Sequence, residues 1–212
     1  MIRHRVGLDP SPVIIEGITV TSLPRTLIDI ARTSLLDRAV TMFDHALWSD
    51  ALGGRPPQVS KAEIQSVMDE LRSLRGLGKA QRALAFADGL SGSPAESFCR
   101  VQFMAIGLPA PVLQKEIFDE RGSIGFVDFY WPELDLVVEY DGRGKYGEGR
   151  KFQLGISAER VLWEEKIRED RIRRVVSGFS RLINGVVTNR SALAQHLRPF
   201  GLYPPSRFRP RK

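Results

Sequence analysis

The chain has 212 residues, a formal net charge of +6 and a hydrophobic fraction of 42%, enough for one large or two small domains. Its single cysteine, Cys99, excludes an intramolecular disulfide and a cysteine-rich zinc site. No apolar run approaches the roughly 20 residues of a membrane span, and the N-terminal residues lack the apolar segment of a signal peptide. We therefore expect a soluble, cytoplasmic protein without a membrane partner, and its positive charge favours a polyanionic partner.

Residues 1–90 are predicted to form a mostly helical module with a short N-terminal hairpin. The hairpin comes first, at 12–21, with its turn at Glu16–Gly17. Apolar residues at helical spacing and cap residues then predict helices at 23–33, 35–48, 61–74 and 79–87. Ser60 and Glu63 make a capping box at the start of the third helix. This part contains no obvious catalytic cluster.

Residues 91–200 are predicted to form an α/β domain, and residues 201–212 a basic tail. Ser93, Pro94 and Glu96 combine a capping box with proline at the first helical position, which is typical of a helix start. The later elements are predicted as strands at 112–118, 126–131 and 134–141, a helix at 158–176, a strand at 179–187 and a helix at 191–197. The predicted buried stripe of the charged helix comprises Val161, Leu162, Ile167, Ile172, Val175 and Val176.

The hairpin at 125–142 gathers acidic residues on one face. Because side chains alternate along a strand, one face of its second strand carries Asp135, Val137, Glu139 and Asp141. The opposite, apolar face is predicted to be the core. If the turn centres on residues 133–134, Asp128 lies directly across from Glu139. Carboxylates so close repel each other, and a cation between them would relieve that repulsion, so the pattern predicts a metal site.

Each acidic residue also has a purely structural interpretation. Glu96 could serve only as a helix cap, and Asp128 and Glu139 could lie on a solvated sheet face. Asp141 and Gly142 could be a turn pair. The charged helix could be a solvent-exposed element with ion pairs four residues apart, such as Glu164–Arg168 and Glu169–Arg173.

Four segments carry a family resemblance: SPAES at 93–97, GFVDFYWPE at 125–133, VVEYDG at 137–142 and WEEKIREDRIR at 163–173, the last followed by a strand that contains Arg181. In this order they resemble the PD-(D/E)xK nuclease superfamily, in its very-short-patch-repair-like endonuclease branch. The resemblance covers about half of the chain. It implies a restriction-endonuclease-like core of one helix, a three-stranded antiparallel sheet, a crossover helix and a further strand. It also implies a metal-dependent endonuclease acting on DNA phosphodiester bonds.

The resemblance assigns roles to individual residues. It implies Mg²⁺ or Mn²⁺ as cofactor, with the metal ligands Glu96, Asp128, Glu139 and Asp141. Asp141 stands where the superfamily carries a lysine, and Lys145 stands where this branch commonly carries a histidine. The implied catalytic residues are Asp128, Glu139, Asp141 and Lys145, and the implied DNA contacts are Lys145, Lys166, Arg168, Arg173 and Arg181.

An alternative function follows from the two substituted positions and from a second, looser resemblance. The segment TSLPRTLIDIA at 21–31 resembles the region that precedes this domain in type IV antitoxins of the AbiEi kind. Such relatives usually carry a winged-helix DNA-binding segment ahead of it, so we expect either that this protein lacks the segment or that the start of the sequence is mis-assigned. The alternative is a catalytically degenerate DNA-binding regulator, or an antitoxin with a toxin partner. A structural protein that binds another protein is a third interpretation.

Overall fold

The computed structural model describes residues 12–49, 54–71, 74–142 and 158–204. The chain is a mixed α/β protein, as predicted, and it divides into two compact units, Met1–Ser97 and Phe98–Lys212. Lys145 and the end of the predicted basic tail, 205–212, lie outside the described residues. Within the described ranges, no helix combines the length and the apolar character needed to cross a membrane.

The described residues of the first unit form a two-stranded hairpin and four complete helices. These elements are β1 (Val13–Ile15), β2 (Ile18–Val20), α1 (Leu23–Ala31), α2 (Leu36–Leu47), α3 (Lys61–Glu70) and α4 (Leu77–Phe86). The strands pair antiparallel around the predicted turn at Glu16 and Gly17, which both have positive φ. The predicted capping box of α3 is confirmed, because Ser60 accepts from the Glu63 N–H while Glu63 accepts from the Ser60 N–H. Helix α3 ends about one turn earlier than predicted.

The segment at 21–31 has a structural explanation in the first unit. Ser22 caps α1 by accepting a hydrogen bond from the Arg25 N–H at 3.4 Å. The Arg25 side chain is fully buried and pairs with Asp29 at 2.9 Å. Asp29 also binds Arg32, at 2.8 Å. Because a buried charge needs a partner, the pairing of Arg25 with Asp29 gives these two residues a structural role.

The core of this unit forms where the apolar faces of the helices meet. Its buried side chains include Leu27, Ile28, Ala39, Val40, Phe43, Ile64, Met68, Ala80 and Leu84. The chain approaches the end of α1 closely at Gly76, which precedes α4 with φ of +86°. A Cβ on Gly76 would lie 2.6 Å from the carbonyl oxygen of Arg32, so only glycine fits here.

The second unit contains a four-stranded sheet with the order β3-β4-β5-β6. Its elements are β3 (Val112–Asp119), β4 (Gly122–Trp131), β5 (Leu136–Tyr140), α6 (Ala158–Val175), β6 (Gly178–Leu182), α7 (Asn184–Val187) and α8 (Arg190–Leu197). Helix α5 (Pro94–Ala105) begins in the first unit and leads into β3. Strands β3, β4 and β5 pair antiparallel, and β6 pairs parallel to β5.

The predicted strand at 179–187 is wrong in its second half. Strand β6 ends at Leu182, and 184–187 form the short helix α7. In α7 the Val187 N–H binds the Ile183 carbonyl, so the chain satisfies its backbone locally instead of extending the sheet. Val187 is nevertheless buried, which explains why an apolar run here imitates a strand.

Both faces of the sheet are buried, which corrects the prediction of a single core face. One core contains Phe103 of α5, Phe129, Leu136 and Val138 of the sheet, and Leu193 of α8. The other face carries a second cluster, made up of Ile117, Val127, Val137, Ile172 and Phe179. The acid-bearing face is therefore the face that α6 covers, and the acidic residues lie beside a core.

Helix α6 buries a different stripe from the one predicted. Ile172 is fully buried, but Leu162, Ile167 and Val175 are 52%, 43% and 41% exposed. On a helix, the positions three, four and seven residues before Ile172 lie on the same side as Ile172. In α6 these positions hold Glu169, Arg168 and Glu165. The side of α6 that continues from its core contact toward its N-terminus is thus charged.

Asp119 and Arg171 join the end of β3 to α6. The Nε of Arg171 donates to Oδ2 of Asp119 at 2.7 Å, and its Nη2 donates to Oδ1 at 2.6 Å. This two-point hydrogen bond lowers the pKa of Asp119 to about 2. A carboxylate whose pKa is lowered in the folded protein stabilises the fold at pH values above its pKa in the unfolded chain, which is near 4. That contribution is lost as the pH falls through the pKa of the folded state.

We therefore expect Asp119→Asn to flatten the acid side of the stability curve. The wild type should lose unfolding free energy between about pH 4 and about pH 2, whereas the variant should lose less over that interval. Urea unfolding at a series of pH values measures this difference. Asp170→Asn, on the exposed side of the same helix, is the control and should follow the wild type. Parallel curves for wild type and Asp119→Asn would contradict the assignment.

Gly76 and Gly78 form a matched pair of glycines around the start of α4. Gly76→Ala should destabilise the first unit by at least about 1 kcal/mol, because its Cβ meets a backbone carbonyl and its φ is positive. Gly78→Ala should be neutral or stabilising by up to about 1 kcal/mol, since the nearest atom is 3.8 Å away and alanine favours helix. Thermal unfolding of both variants tests the pair, and equal effects would contradict this account.

Candidate metal and nucleic-acid site

Strands β4 and β5 have the predicted register. Phe129 pairs with Val138, and Trp131 pairs with Leu136. Continuing this register by one residue places Asp128 opposite Glu139, as the position of the turn predicts. Asp128 is partly buried and Glu139 is 8% exposed. The structure therefore brings the two central acidic residues together on neighbouring strands.

Asp135 holds the turn and has a structural role. It follows a 3-10 turn at Pro132–Leu134 and has a left-handed backbone with φ of 43°. Its carboxylate accepts hydrogen bonds from the Tyr130 hydroxyl and the Ser177 N–H, both at 2.8 Å. Burial acts to raise the pKa of Asp135, but these hydrogen bonds outweigh it and lower the pKa. The carboxylate thus links the hairpin to the junction between α6 and β6.

Asp128 supports the backbone of the neighbouring strand. Its Oδ2 accepts the N–H of Tyr140 at 2.8 Å, just past the last paired residues of β4 and β5. On its other side, in β3, Gln114 lies at the register position opposite Asp128 and has a positive φ of 46°. A side-chain oxygen of β4 therefore accepts a backbone N–H of β5 just beyond the paired residues of these two strands.

Glu139 is held by two arginines. Its Oε1 accepts from Nη2 of Arg168 at 2.8 Å, and its Oε2 lies 3.7 Å from Nη2 of Arg181. Burial raises the pKa of Glu139, the hydrogen bond and charge of Arg168 act against this, and the charge of Asp128 adds to the increase. Burial acts to lower the pKa of Arg168, but Glu139 outweighs it and raises that pKa. The pair is thus coupled across β5 and α6.

Two further carboxylates on α6 complete the arrangement. Glu165 accepts from Arg168 at 3.2 Å and from Arg181 at 2.8 Å. Glu169 lies 3.0 Å from Arg181. We call the group of Asp128, Glu139, Glu165, Arg168, Glu169 and Arg181 the charge cluster. Its carboxylates outnumber its guanidinium groups, so the cluster carries an acidic excess.

Sequence reasoning missed Glu165 and Glu169 as members of this cluster. Glu165 lies seven residues and Glu169 three residues before Ile172, so both face the same side of α6 as Ile172. That side could be recognised as the buried one only once Ile172 was known to contact the core. Of the two predicted pairs on α6, Glu169–Arg173 is present at 2.7 Å. Glu164 instead pairs with Arg160, at 3.1 Å, because Arg168 reaches the sheet.

The predicted DNA contacts lie in different surroundings. Arg168 and Arg181 are held by carboxylates of the charge cluster. Arg173 pairs with Glu169 and lies over the ring of Phe179, 4.3 Å from its centroid. Lys166 is exposed on α6. The three arginines would have to exchange these partners before they could bind phosphate.

Asp141 lies at the edge of the charge cluster, and Glu96 has a structural role as a helix cap. The N–H of Asp141 donates to the Leu182 carbonyl at 2.8 Å, and its Oδ2 is 4.0 Å from Arg181. Glu96 is 4% exposed and serves its predicted capping role. Its carboxylate accepts from the Gly92 N–H at 2.8 Å and from the Ser93 hydroxyl at 2.7 Å.

A divalent metal ion fits part of this donor set. Among the residues described, no three His, Cys, Asp or Glu side chains form a group that could hold a metal ion. Mg²⁺, however, keeps several waters and is commonly bound through one or two carboxylates. Asp128 and Glu139 meet that requirement in the kind and number of oxygen donors. The fit is limited by Arg168, which already binds Glu139.

Substitutions at Asp128 should separate its backbone contact from its charge. Asp128→Ala leaves the Tyr140 N–H without its acceptor and should destabilise the protein by about 1–3 kcal/mol. Asp128→Asn keeps a carbonyl oxygen in that position, so its unfolding free energy should stay within about 1 kcal/mol of the wild type. Urea unfolding at neutral pH measures both variants. Equal losses would show that the charge, and not the hydrogen bond, is what the fold requires.

Comparison with known proteins finds relatives of unassigned function. The chain is 34% identical over 141 residues to Uncharacterized protein Rv2248 and to Uncharacterized protein MT2308, from two strains of Mycobacterium tuberculosis. The matched region is 66% of this chain and 49% of each relative, so the chain spans about half the length of the curated relatives it matches. No family model matches, and no solved structure matches significantly.

Proposed function

We propose that the chain is a metal-dependent endonuclease-like protein that acts on DNA phosphodiester bonds. The proposal rests mainly on Asp128 and Glu139, which lie opposite each other on β4 and β5 and are coupled electrostatically. The order of elements in the second unit supports the proposal: α5, three antiparallel strands, the crossover helix α6 and the parallel strand β6. We further propose that this unit is a restriction-endonuclease-like core.

Asp128 and Glu139 would hold Mg²⁺ or Mn²⁺, and Asp141, two residues after Glu139, is a further candidate ligand. When bound, the ion supplies Lewis-acid polarisation of the phosphoryl oxygen and lowers the pKa of a bound water. In the structure, Arg168 and Arg181 contact the two oxygens of Glu139 and neutralise its charge. The core packed against the same face shields that carboxylate from solvent. Lys145 and Lys166 remain the candidates for contact with the DNA backbone.

A second candidate function has its own supporting observation. Glu139 is bound by Arg168 at 2.8 Å, so the residue most needed as a metal ligand is already neutralised. A protein in which this pair is permanent would be a catalytically degenerate DNA-binding regulator, or an antitoxin with a toxin partner. The alternative predicts DNA affinity that does not depend on a divalent ion, whereas the endonuclease requires the ion for cleavage.

The decisive experiment is a cleavage assay with Mg²⁺ and with Mn²⁺. Supercoiled, nicked, mismatched and single-stranded DNA should be tested with wild type, Asp128→Asn and Glu139→Gln. We expect nicking by the wild type and a loss of about 100-fold or more in both variants, since metal coordination contributes several kcal/mol to the barrier. Glu133→Gln is the matched control, because Glu133 is exposed at the turn of the same hairpin.

The outcomes separate the two candidates. If the wild type cleaves none of these substrates but binds DNA with an affinity that falls steeply as salt rises, the regulator replaces the endonuclease, because release of counterions marks phosphate binding. Cleavage that survives Glu139→Gln would remove the charge cluster from the mechanism.

A further inference from the structure

The pairing of Arg168 with Glu139 has a defined geometry. Nη2 of Arg168 donates to Oε1 of Glu139 at 2.8 Å and to the carbonyl oxygen of Phe126 at 2.7 Å. Both side chains are largely buried, at 25% and 10% exposed. A carboxylate oxygen can accept a hydrogen bond while it binds a metal ion, but a guanidinium group and a divalent ion at the same oxygen repel each other. An ion that uses Oε1 of Glu139 therefore favours the displacement of Arg168.

The structure also contains the place to which Arg168 can move. Nη1 of Arg168 already contacts Oε1 of Glu165 at 3.2 Å, one turn earlier on the same helix. Shortening that contact would keep the guanidinium paired while it leaves Glu139. Arg181 already binds the same Glu165 oxygen at 2.8 Å, so the carboxylate is positioned at the junction of both arginines.

We propose that Arg168 is an exchangeable counter-ion of Glu139: it occupies the carboxylate in the metal-free protein and transfers to Glu165 when a divalent cation binds. This inference rests on the proposed function, because it requires that Glu139 be a metal ligand. Arg168 is then a positioning residue, and it keeps a buried carboxylate neutralised between metal-binding events.

The exchange has a measurable consequence for metal affinity. A binding site that is competent for only a fraction of the time has an apparent affinity reduced by that fraction. Removing the competing guanidinium should therefore tighten metal binding at Glu139. The effect must be distinguished from a general rise in negative potential, which any loss of a nearby positive charge produces.

The test is isothermal titration of Mn²⁺ alone into the intact protein and four variants. Arg168→Gln and Arg168→Lys should bind Mn²⁺ about tenfold more tightly than the wild type. Arg168→Lys is decisive, because it keeps the charge but not the guanidinium fork. Arg173→Gln, which removes a charge that pairs with Glu169 and not with Glu139, should bind like the wild type. Glu139→Gln should not bind.

A second readout does not depend on calorimetry. The increase in melting temperature caused by Mn²⁺ should be larger for Arg168→Gln than for the wild type, because a ligand stabilises the folded state more when it binds more tightly. Arg168→Lys serves the same comparison if Arg168→Gln unfolds.

Each outcome decides a separate point. If Glu139→Gln abolishes binding while both Arg168 variants bind no more tightly than the wild type, the metal site stands and the counter-ion exchange is wrong. Equal tightening in Arg168→Gln and Arg173→Gln, with Arg168→Lys like the wild type, reduces the effect to net charge and also overturns it. Binding that Glu139→Gln leaves unchanged, or no binding by any variant, overturns the metal site and the exchange together.

Discussion

The turn that ends at Asp135 is the constraint on which the second unit depends. Asp135 has a left-handed backbone that closes the turn between β4 and β5, and its carboxylate binds Tyr130 on one side and Ser177 on the other. Its carbonyl oxygen accepts the N–H groups of Ser177 and Gly178, where β6 begins. One residue therefore sets the β4–β5 register and the place at which the parallel strand joins the sheet. Both are needed to bring Asp128, Glu139 and Arg181 together.

The face of the sheet beneath α6 changes character along its length. Around Ile172 and Val137 it is an apolar core, and around Glu139 it is a set of buried and half-buried charges. Breaking a buried pair leaves an uncompensated charge, which costs far more than the pair itself contributes. The charge cluster therefore ties α6 to β5 and β6 in one arrangement while adding little net stability. Replacement of the guanidinium by another cation would avoid that cost, because Glu139 would stay neutralised.

The two candidate functions differ in what happens to this cluster and share its geometry. In the proposed endonuclease, a divalent ion would replace the guanidinium of Arg168 at Glu139. In the regulator, the ion pair is permanent and the acidic residues only stabilise the fold. The chain's positive charge is compatible with a nucleic-acid partner in both cases. The position of Arg168 between Glu139 and Glu165 is therefore the feature on which the choice depends.

Local sequence patterns determined the elements that depend on neighbouring residues. The capping boxes at Ser60 and Ser93 begin helices because side-chain and backbone groups only three residues apart satisfy each other. Strand alternation and the turn placed Asp128 opposite Glu139, because register follows from turn position. Tertiary structure decided the rest. That both faces of the sheet are covered, and that the buried side of α6 is charged, depends on contacts between segments about 30 or more residues apart. The partners of Glu139 come from α6 and β6, and no local pattern encodes that contact, because an arginine on a charged helix has the same sequence signature whether it faces solvent or a buried carboxylate.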